Sequence, residues 1–334
     1  MLDGLDNIGV SVVIVTFNGA TRLKPTLEHL ARQKNIDFDW EVLLIDNNST
    51  DDTQAVATSV WNSNNPPCPL RIIKESRPGT MFARRSGIDN AKYRYLLFCD
   101  DDNWLPEHYV KFAFDKINHH DEIAAIGGCG ELEFEENFNK PDWIEKYAPL
   151  FGSGAQGETD GDTTNFKGCL YTAGTMIDRV WLDKLYASGF ESVLKGRDGK
   201  SLVAGEDTEF TAALKIIGGK LHYYSEMTFK HFMPAQRMTW NYLLRLSEGM
   251  GKGTYALRPY IYPDDKNLSK EYIITSGVIL KYYLLSLLHG FKEGDDNAVV
   301  FHRFKGQLEA VKEAKSNNEK IRETIKRLRS NNEA

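Results

Sequence analysis

Three consecutive aspartates, Asp100, Asp101 and Asp102, follow the run Tyr95-Leu96-Leu97-Phe98-Cys99 without a break. Adjacent carboxylates repel one another unless a cation shares their site. Oxygen donors suit the hard cations Mg²⁺ and Mn²⁺, and Mg²⁺ commonly combines one or two carboxylates with substrate phosphates. The triplet therefore points to a metal-dependent site for a phosphorylated substrate. The plain alternative is a helix start, since Asp is a good N-cap, Pro106 suits a first helical turn and Glu107 follows it. A helix has a single N-cap position, so capping cannot account for all three acids.

The acids need a scaffold. The dense apolar run before them reads as a strand buried on both faces, with the acids at its C-terminal end. Upstream, residues 10–16 are β-branched and read as a central strand, 40–45 as a second and 70–74 as a third. Helical spacing falls between them, over 21–34, from the 46–52 turn cluster to about Trp61, and over 80–91. A helix over 106–118 and a strand over 122–126 follow. This alternation predicts a mainly parallel sheet with right-handed crossovers and helices on both faces. The strand ends of such a sheet open on one edge. Thr16-Phe17-Asn18, Asp46-Asn47-Asn48 and the aspartate triplet should meet there. No GxGxxG or GxxxxGK[ST] follows the first strand, so the usual dinucleotide and P-loop fingerprints are missing.

Beyond residue 126 the pattern changes. Gly127-Gly128-Cys129-Gly130 reads as a flexible junction and 131–136 as an acidic strand. Residues 151–162, rich in Gly, Ser, Thr and Asp, read as a mobile loop able to act as a lid. A strand over 171–177, a helix over 179–188, a helix opening at Ala204-Gly205-Glu206-Asp207 and a strand over 220–224 complete this half. Gly218-Gly219 closes the penultimate helix.

Taken together the motifs resemble the family 2 glycosyltransferases of the GT-A fold. They are Val-Val-Ile-Val-Thr-Phe-Asn at 12–18, Leu-Ile-Asp-Asn-Asn-Ser-Thr-Asp at 44–51, Gly-Thr-Met-Phe-Ala-Arg-Arg-Ser-Gly-Ile at 79–88, Phe-Cys-Asp-Asp-Asp at 98–102 and Gly-Glu-Asp at 205–207. The resemblance covers about residues 8–235. It divides the chain into a GT-A catalytic domain over 1–235, with a nucleotide-binding half over about 8–128 and an acceptor half over about 129–235, and a C-terminal helical region over 236–334.

The family implies metal-dependent, inverting transfer of a sugar from a nucleotide donor, here a UDP-sugar, to a glycan or lipid-linked glycan acceptor. It places Thr16, Phe17 and Asn18 in the nucleotide pocket and Asp46 on the base. Asp46 as a turn-forming residue is the alternative. Arg84 falls where the family has a basic residue facing the donor, against a solvated helix face. Asp100 would face the ribose and Asp102 would hold Mn²⁺ or Mg²⁺ on the diphosphate, with Asp101 ranked third. Asn103 stands where the common family form has a further acid. Glu206-Asp207 matches the late acidic pair, with Asp207 taken as the base that accepts the acceptor's proton and Glu206 as runner-up. Both acids equally suit a helix N-terminus. Gly174, with Met176, resembles the segment beneath the transferred sugar, and His231 a histidine that helps hold metal or diphosphate. A structural glycine and a structural histidine are the alternatives. Arg237 is a further candidate to meet the diphosphate, with a surface arginine as the default reading. Two other classes compete: an inactive nucleotide- or carbohydrate-binding module on the same fold, and a sugar nucleotidyltransferase, whose usual glycine-rich loop with lysine is missing.

Composition narrows the partners. A formal charge of −6 over 334 residues argues against general nucleic-acid binding. The four cysteines are scattered without CxxC pairing and read as buried thiols in a reducing, cytoplasmic compartment. The N-terminus lacks a signal-peptide pattern, and no uninterrupted apolar run is long enough to span a membrane. Helices are expected over 238–245 and 272–288, the second buried in the protein or, as runner-up, lying on the inner face of a membrane. A charged amphipathic helix over 297–329, broken near Ser316-Asn317-Asn318, would cover the catalytic domain or join a homodimer.

Overall fold

The computed structural model describes residues 7–194, 196, 205–261 and 268–333. The first half runs β1 (Gly9–Thr16), α1 (Leu23–Ala31), β2 (Asp39–Asp46), α2 (Thr53–Ser63), β3 (Leu70–Lys74), α3 (Thr80–Asn90) and β4 (Tyr95–Asp100). Then come β5 (Asn103–Trp104), α4 (Tyr109–Ile117), β6 (Ile123–Phe134), α5 (Ile144–Tyr147), β7 (Gly161–Asp162), β8 (Met176–Asp178) and α6 (Arg179–Ala187). The chain closes with α7 (Glu206–Ile216), β9 (Lys220–Met233), α8 (Trp240–Ile261), α9 (Leu268–His289) and α10 (Asp296–Glu333). One sheet has the order β3-β2-β1-β4-β8-β6-β9-β5, with β7 beside β9.

The strands β3, β2, β1 and β4 pair in parallel, and β8 enters antiparallel between β4 and β6. Val12, Ile14, Val42, Leu44 and Leu97 face one core with α1, α2 and α4. Val13, Leu43, Ile45, Leu96 and Phe98 face another with α3, α6 and α7. Alternate side chains of each strand thus feed opposite layers, which is why these strands are apolar throughout.

Several sequence expectations change. Gly127–Gly130 is no flexible junction but the middle of β6, which pairs with β9 from Ile123 to Phe134. The glycines serve close approach: a Cβ on Gly128 would lie 1.8 Å from the Met227 carbonyl oxygen, and one on Gly130 2.5 Å from that of Gly152. The strand expected over 171–177 shrinks to Met176–Asp178, because Gly174 turns the chain at φ 68° and Thr175 N–H donates back to the Thr172 carbonyl. α10 continues through residues 316–318, since Ser and Asn disfavour a helix only weakly. Finally, α9 is not buried. Ile274, Leu280, Tyr283 and Leu284 are 49%, 57%, 49% and 50% exposed, because α9 packs mainly along α10.

The segment expected as a lid is tied down in part. Gly154 N–H donates to the Gly130 carbonyl, and the buried Gln156 side chain bridges the Gly128 carbonyl and the Tyr171 N–H. The expected short helix at 238–245 extends to Ile261. Glycines again set the spacing: Cβ atoms at Gly251 of α8 and Gly306 of α10 would lie 2.0 and 1.9 Å from carbonyl oxygens of the opposite helix. Leu328 of α10 joins the core of Leu182, Leu185 and Phe210. The Ala204 part of the motif before α7 lies outside the described residues.

Replacing Gly128 by Ala should force β6 and β9 apart. The expected loss is about 1–3 kcal/mol of unfolding free energy, typical of an overpacked core, read as a lower urea midpoint in circular dichroism.

Candidate functional site

A cleft of about 560 Å³ opens at the C-terminal edge of the sheet. Thr16 and Phe17 bring the end of β1 to it, Arg84 comes from α3, and Asp100, Asp101 and Asp102 come from the turn between β4 and β5. Glu206 and Asp207 open α7, and His231 and Arg237 come from β9 and the turn after it. The far wall is Tyr242, Leu246, Met250, Thr254 and Leu257 of α8, with Arg303 of α10 at one side.

The turn after β4 decides where the acids go. Asn103 Oδ1 accepts the Asp100 N–H at 3.0 Å, and β5 then pairs with β9, setting Asn103 opposite His231. Asp101 turns towards α1. Its carboxylate receives Arg22 through Nε at 3.1 Å and Nη2 at 2.7 Å, and Thr16 Oγ1 at 2.6 Å. Arg22 also donates to the Asn18 and Phe17 carbonyls, tying the first strand end to the acids. Asp102 turns towards β9, with Arg237 Nη1 at 2.9 Å from Oδ2 and His231 Nε2 at 3.4 Å from Oδ1.

Burial and charge then set the three acids apart. Burial raises the Asp100 pKa, and the Asp102 charge adds to it while Arg84 opposes it. Burial also raises Asp101, against the Arg22 hydrogen bond. For Asp102 burial is outweighed by His231 and Arg237, which hold its carboxyl well below the usual carboxylate range. The same contact raises His231 above an ordinary histidine, although burial acts the other way. His231 Nδ1 is buried with no hydrogen-bond partner.

The acidic pair on α7 also divides. Gly205, at φ 120°, adopts a backbone that L side chains rarely reach, and a Cβ there would lie 2.9 Å from Leu257 of α8. Glu206 Oε1 lies 3.5 Å from Arg84 Nη1. Arg84 is 6% exposed, which removes the solvated-face alternative. Asp207 accepts the Thr208 N–H at 2.9 Å and has no cationic partner among the described residues.

Three expected donor residues do not line the cleft. Asn18 Oδ1 is taken by the Thr50 N–H. Asp46 is buried, and its two carboxylate oxygens accept from the Ser49 N–H and the Gln54 side chain. Burial would raise the Asp46 pKa, but these hydrogen bonds outweigh it and lower it. Asp46 thus does the turn-forming work given above as its alternative, and the neighbouring Asn47 lines the cleft instead. Gly174 lies behind the wall, where its carbonyl accepts the Tyr109 hydroxyl at 2.7 Å and a Cβ would meet that hydroxyl at 2.5 Å. Ala173 lines the cleft beside it.

Arg237 is a correction of the opposite kind, since it is an Asp102 partner rather than a surface residue. Arg22 was not singled out in the sequence at all. Its one signal is a basic residue four positions beyond Asn18, at the start of a helix that follows a polar strand end. The α8 wall has no comparable signal.

Among the described residues, no group of three His, Cys, Asp or Glu side chains forms a ready metal cage. Asp100 and Asp102 nevertheless supply hard oxygen donors from one turn, and the Asp100 carboxylate accepts no hydrogen bond from another described residue. A divalent cation completed by diphosphate oxygens fits that pair.

The family model "Glycosyl transferase family 2" matches residues 11–182. The chain is 26% identical over 132 residues to the GalNAc(5)-diNAcBac-PP-undecaprenol beta-1,3-glucosyltransferase of Campylobacter jejuni, covering 39% of this chain and 41% of that protein. It is 26% identical over 121 residues to the poly(ribitol-phosphate) beta-N-acetylglucosaminyltransferase TarP of Staphylococcus aureus, covering 36% of each. The aligned segment thus spans less than half the length of either curated relative. A crystal structure of S. aureus TarS 1-349 in complex with UDP superposes with a TM-score of 0.50 at 16% identity, over 98% of this chain and 90% of that one. The likeness shows the same fold.

Replacing Arg22 by Ala should leave Asp101 buried beside Asp102 with only Thr16. A carboxyl whose folded pKa lies above its unfolded value costs stability once pH exceeds the unfolded pKa, and costs nothing below it. The loss should therefore be about 1.5–3 kcal/mol near neutral pH and clearly smaller at about pH 4, measured by urea unfolding at both.

Proposed function

We propose that this chain, which belongs to glycosyl transferase family 2, transfers a sugar with inversion from a UDP-sugar to a hydroxyl of a glycan or lipid-linked glycan. The observation that carries the reading is the division of the α7 acids. Glu206 is paired with Arg84, while Asp207 enters the cleft shared with the aspartate triplet and keeps its carboxylate clear of cations among the described residues. A binding module needs no such carboxylate, whereas direct displacement needs a base opposite the leaving group.

In this reading Thr16, Phe17 and Asn47 border the nucleotide, and Arg84 and Asp100 lie towards the ribose and diphosphate. Asp102, with Asp100 on the same turn and His231 beside it, would hold Mn²⁺ or Mg²⁺, and the ion would supply Lewis acidity to offset the charge of the departing nucleoside diphosphate. Arg22 fixes Asp101 so that the other two acids keep their directions. Asp207 accepts the proton of the acceptor hydroxyl as it attacks the anomeric carbon from the face opposite the diphosphate. Residues 1–235 carry this chemistry, and α8 supplies a wall for the acceptor side. UDP is the first nucleotide to test, because it is the one the TarS structure holds.

Titration calorimetry of UDP into the protein should show binding that strengthens with Mn²⁺, and Asp102→Ala should remove the metal-dependent part. Metal-dependent UDP affinity unchanged in that variant would sink the ligand role. Asp207→Asn should keep UDP affinity and lower sugar transfer by about 10²–10⁴-fold, the usual contribution of a general base. Near-normal turnover would pass the role to Glu206.

A further inference from the structure

The exposed face of α9 is the largest feature of this molecule that the reaction leaves unexplained. Ile274, Leu280, Tyr283 and Leu284 lie on its outer side together with Gly277 and Lys281, while Ile279 and Tyr282 turn towards the protein. Half of the exposed large apolar side chains found among the described residues sit on this single helix. The stretch 272–292 contains Lys281, Lys292 and His289 but no Asp or Glu, in a chain whose overall charge is −6. Among the described residues, no helix is long and apolar enough to cross a membrane.

We propose that α9 is a membrane-docking helix that lies flat in the interface of an anionic bilayer. α9 is apolar on both sides, so that with its inner side on α10 its outer side still offers lipid a row of apolar side chains, with the Tyr283 hydroxyl and Lys281 among them to meet lipid phosphates. Charge selects this occupant over a second copy of the chain. Two α9 helices packed face to face would bring Lys281 towards its equivalent with no acid to meet it among the described side chains of that face, whereas anionic headgroups attract it. The position of the helix gives docking a use. Phe291, just after α9, packs on Phe301 of α10 with ring centroids 5.7 Å apart, and Arg303, two residues further on, lines the cleft. Docking through α9 therefore brings α10, which carries Arg303 at the side of the cleft, towards the lipid surface. The docking itself does not depend on the reaction proposed above, because vesicle binding is read without donor or acceptor.

The experiment is vesicle flotation of the whole protein. It should float with phosphatidylcholine vesicles containing about 30 mol % phosphatidylglycerol and much less with phosphatidylcholine alone. Leu280→Glu combined with Leu284→Glu should lower the bound fraction by about tenfold or more while circular dichroism stays unchanged. Phe166→Glu, at an exposed apolar residue away from α9, should float as the parent does. No flotation with either vesicle overturns the proposal, and so does flotation that survives the double substitution. Light scattering supplies the remaining outcome: a dimer that the double substitution converts to monomer, with no lipid binding, assigns the face to a second copy instead.

Discussion

Several carboxylates are crowded at the end of one buried strand, and everything around the cleft answers to that. Unpaired, buried like charges would be driven to protonate or to unfold their surroundings. The fold instead brings cations to nearly every one: Arg22, just before α1, to Asp101, Arg237 and His231 from the β9 end to Asp102, and Arg84 from α3 near Asp100 and onto Glu206. The cations come from three separate parts of the chain. The acids therefore tie together pieces of chain that local structure alone would leave independent, and Asp207 stands out as the acid left without such a partner among the described residues.

Close backbone approach is the second constraint. β6 and β9 meet at Gly128, and α8 and α10 cross at Gly251 and Gly306. At each of these places a Cβ would strike its neighbour. The glycines at the crossings put Arg303 within the cleft wall, while Gly205 directs the acids of α7 into the cleft. A glycine cluster that looks like a hinge in the sequence can thus be one of the tightest contacts in the fold, because the same missing side chain that loosens an isolated chain lets two packed backbones touch.

The site combines a rigid side with an open one. The strand ends and their arginines form a cross-linked polar floor, whereas the α8 wall is mostly apolar and belongs to helices with no counterpart in the first sheet half. Such an arrangement lets one side of a cleft stay constant while the other varies, which is a general way for one fold to serve many substrates.

The sequence by itself determined the parallel half of the sheet, since the β-branched runs, the helical spacings between them and the polar strand ends are all local patterns. It also set the aspartate triplet beside the polar end of β1 at one edge, while Arg84 and Glu206-Asp207 were singled out only by the family resemblance. It did not determine which acid faces which cation, because that follows from the β4–β5 turn and from β5 pairing with β9, a contact across more than a hundred residues. Nor could it separate Asp46 from Asn47, because both sit in the same turn and only packing decides which one the turn consumes. The extent of β6, the length of α8 and the exposure of α9 were likewise settled by tertiary structure. Apolar content shows that a helix seeks a partner, but whether the protein, another chain or a bilayer supplies one depends on where the fold leaves its faces.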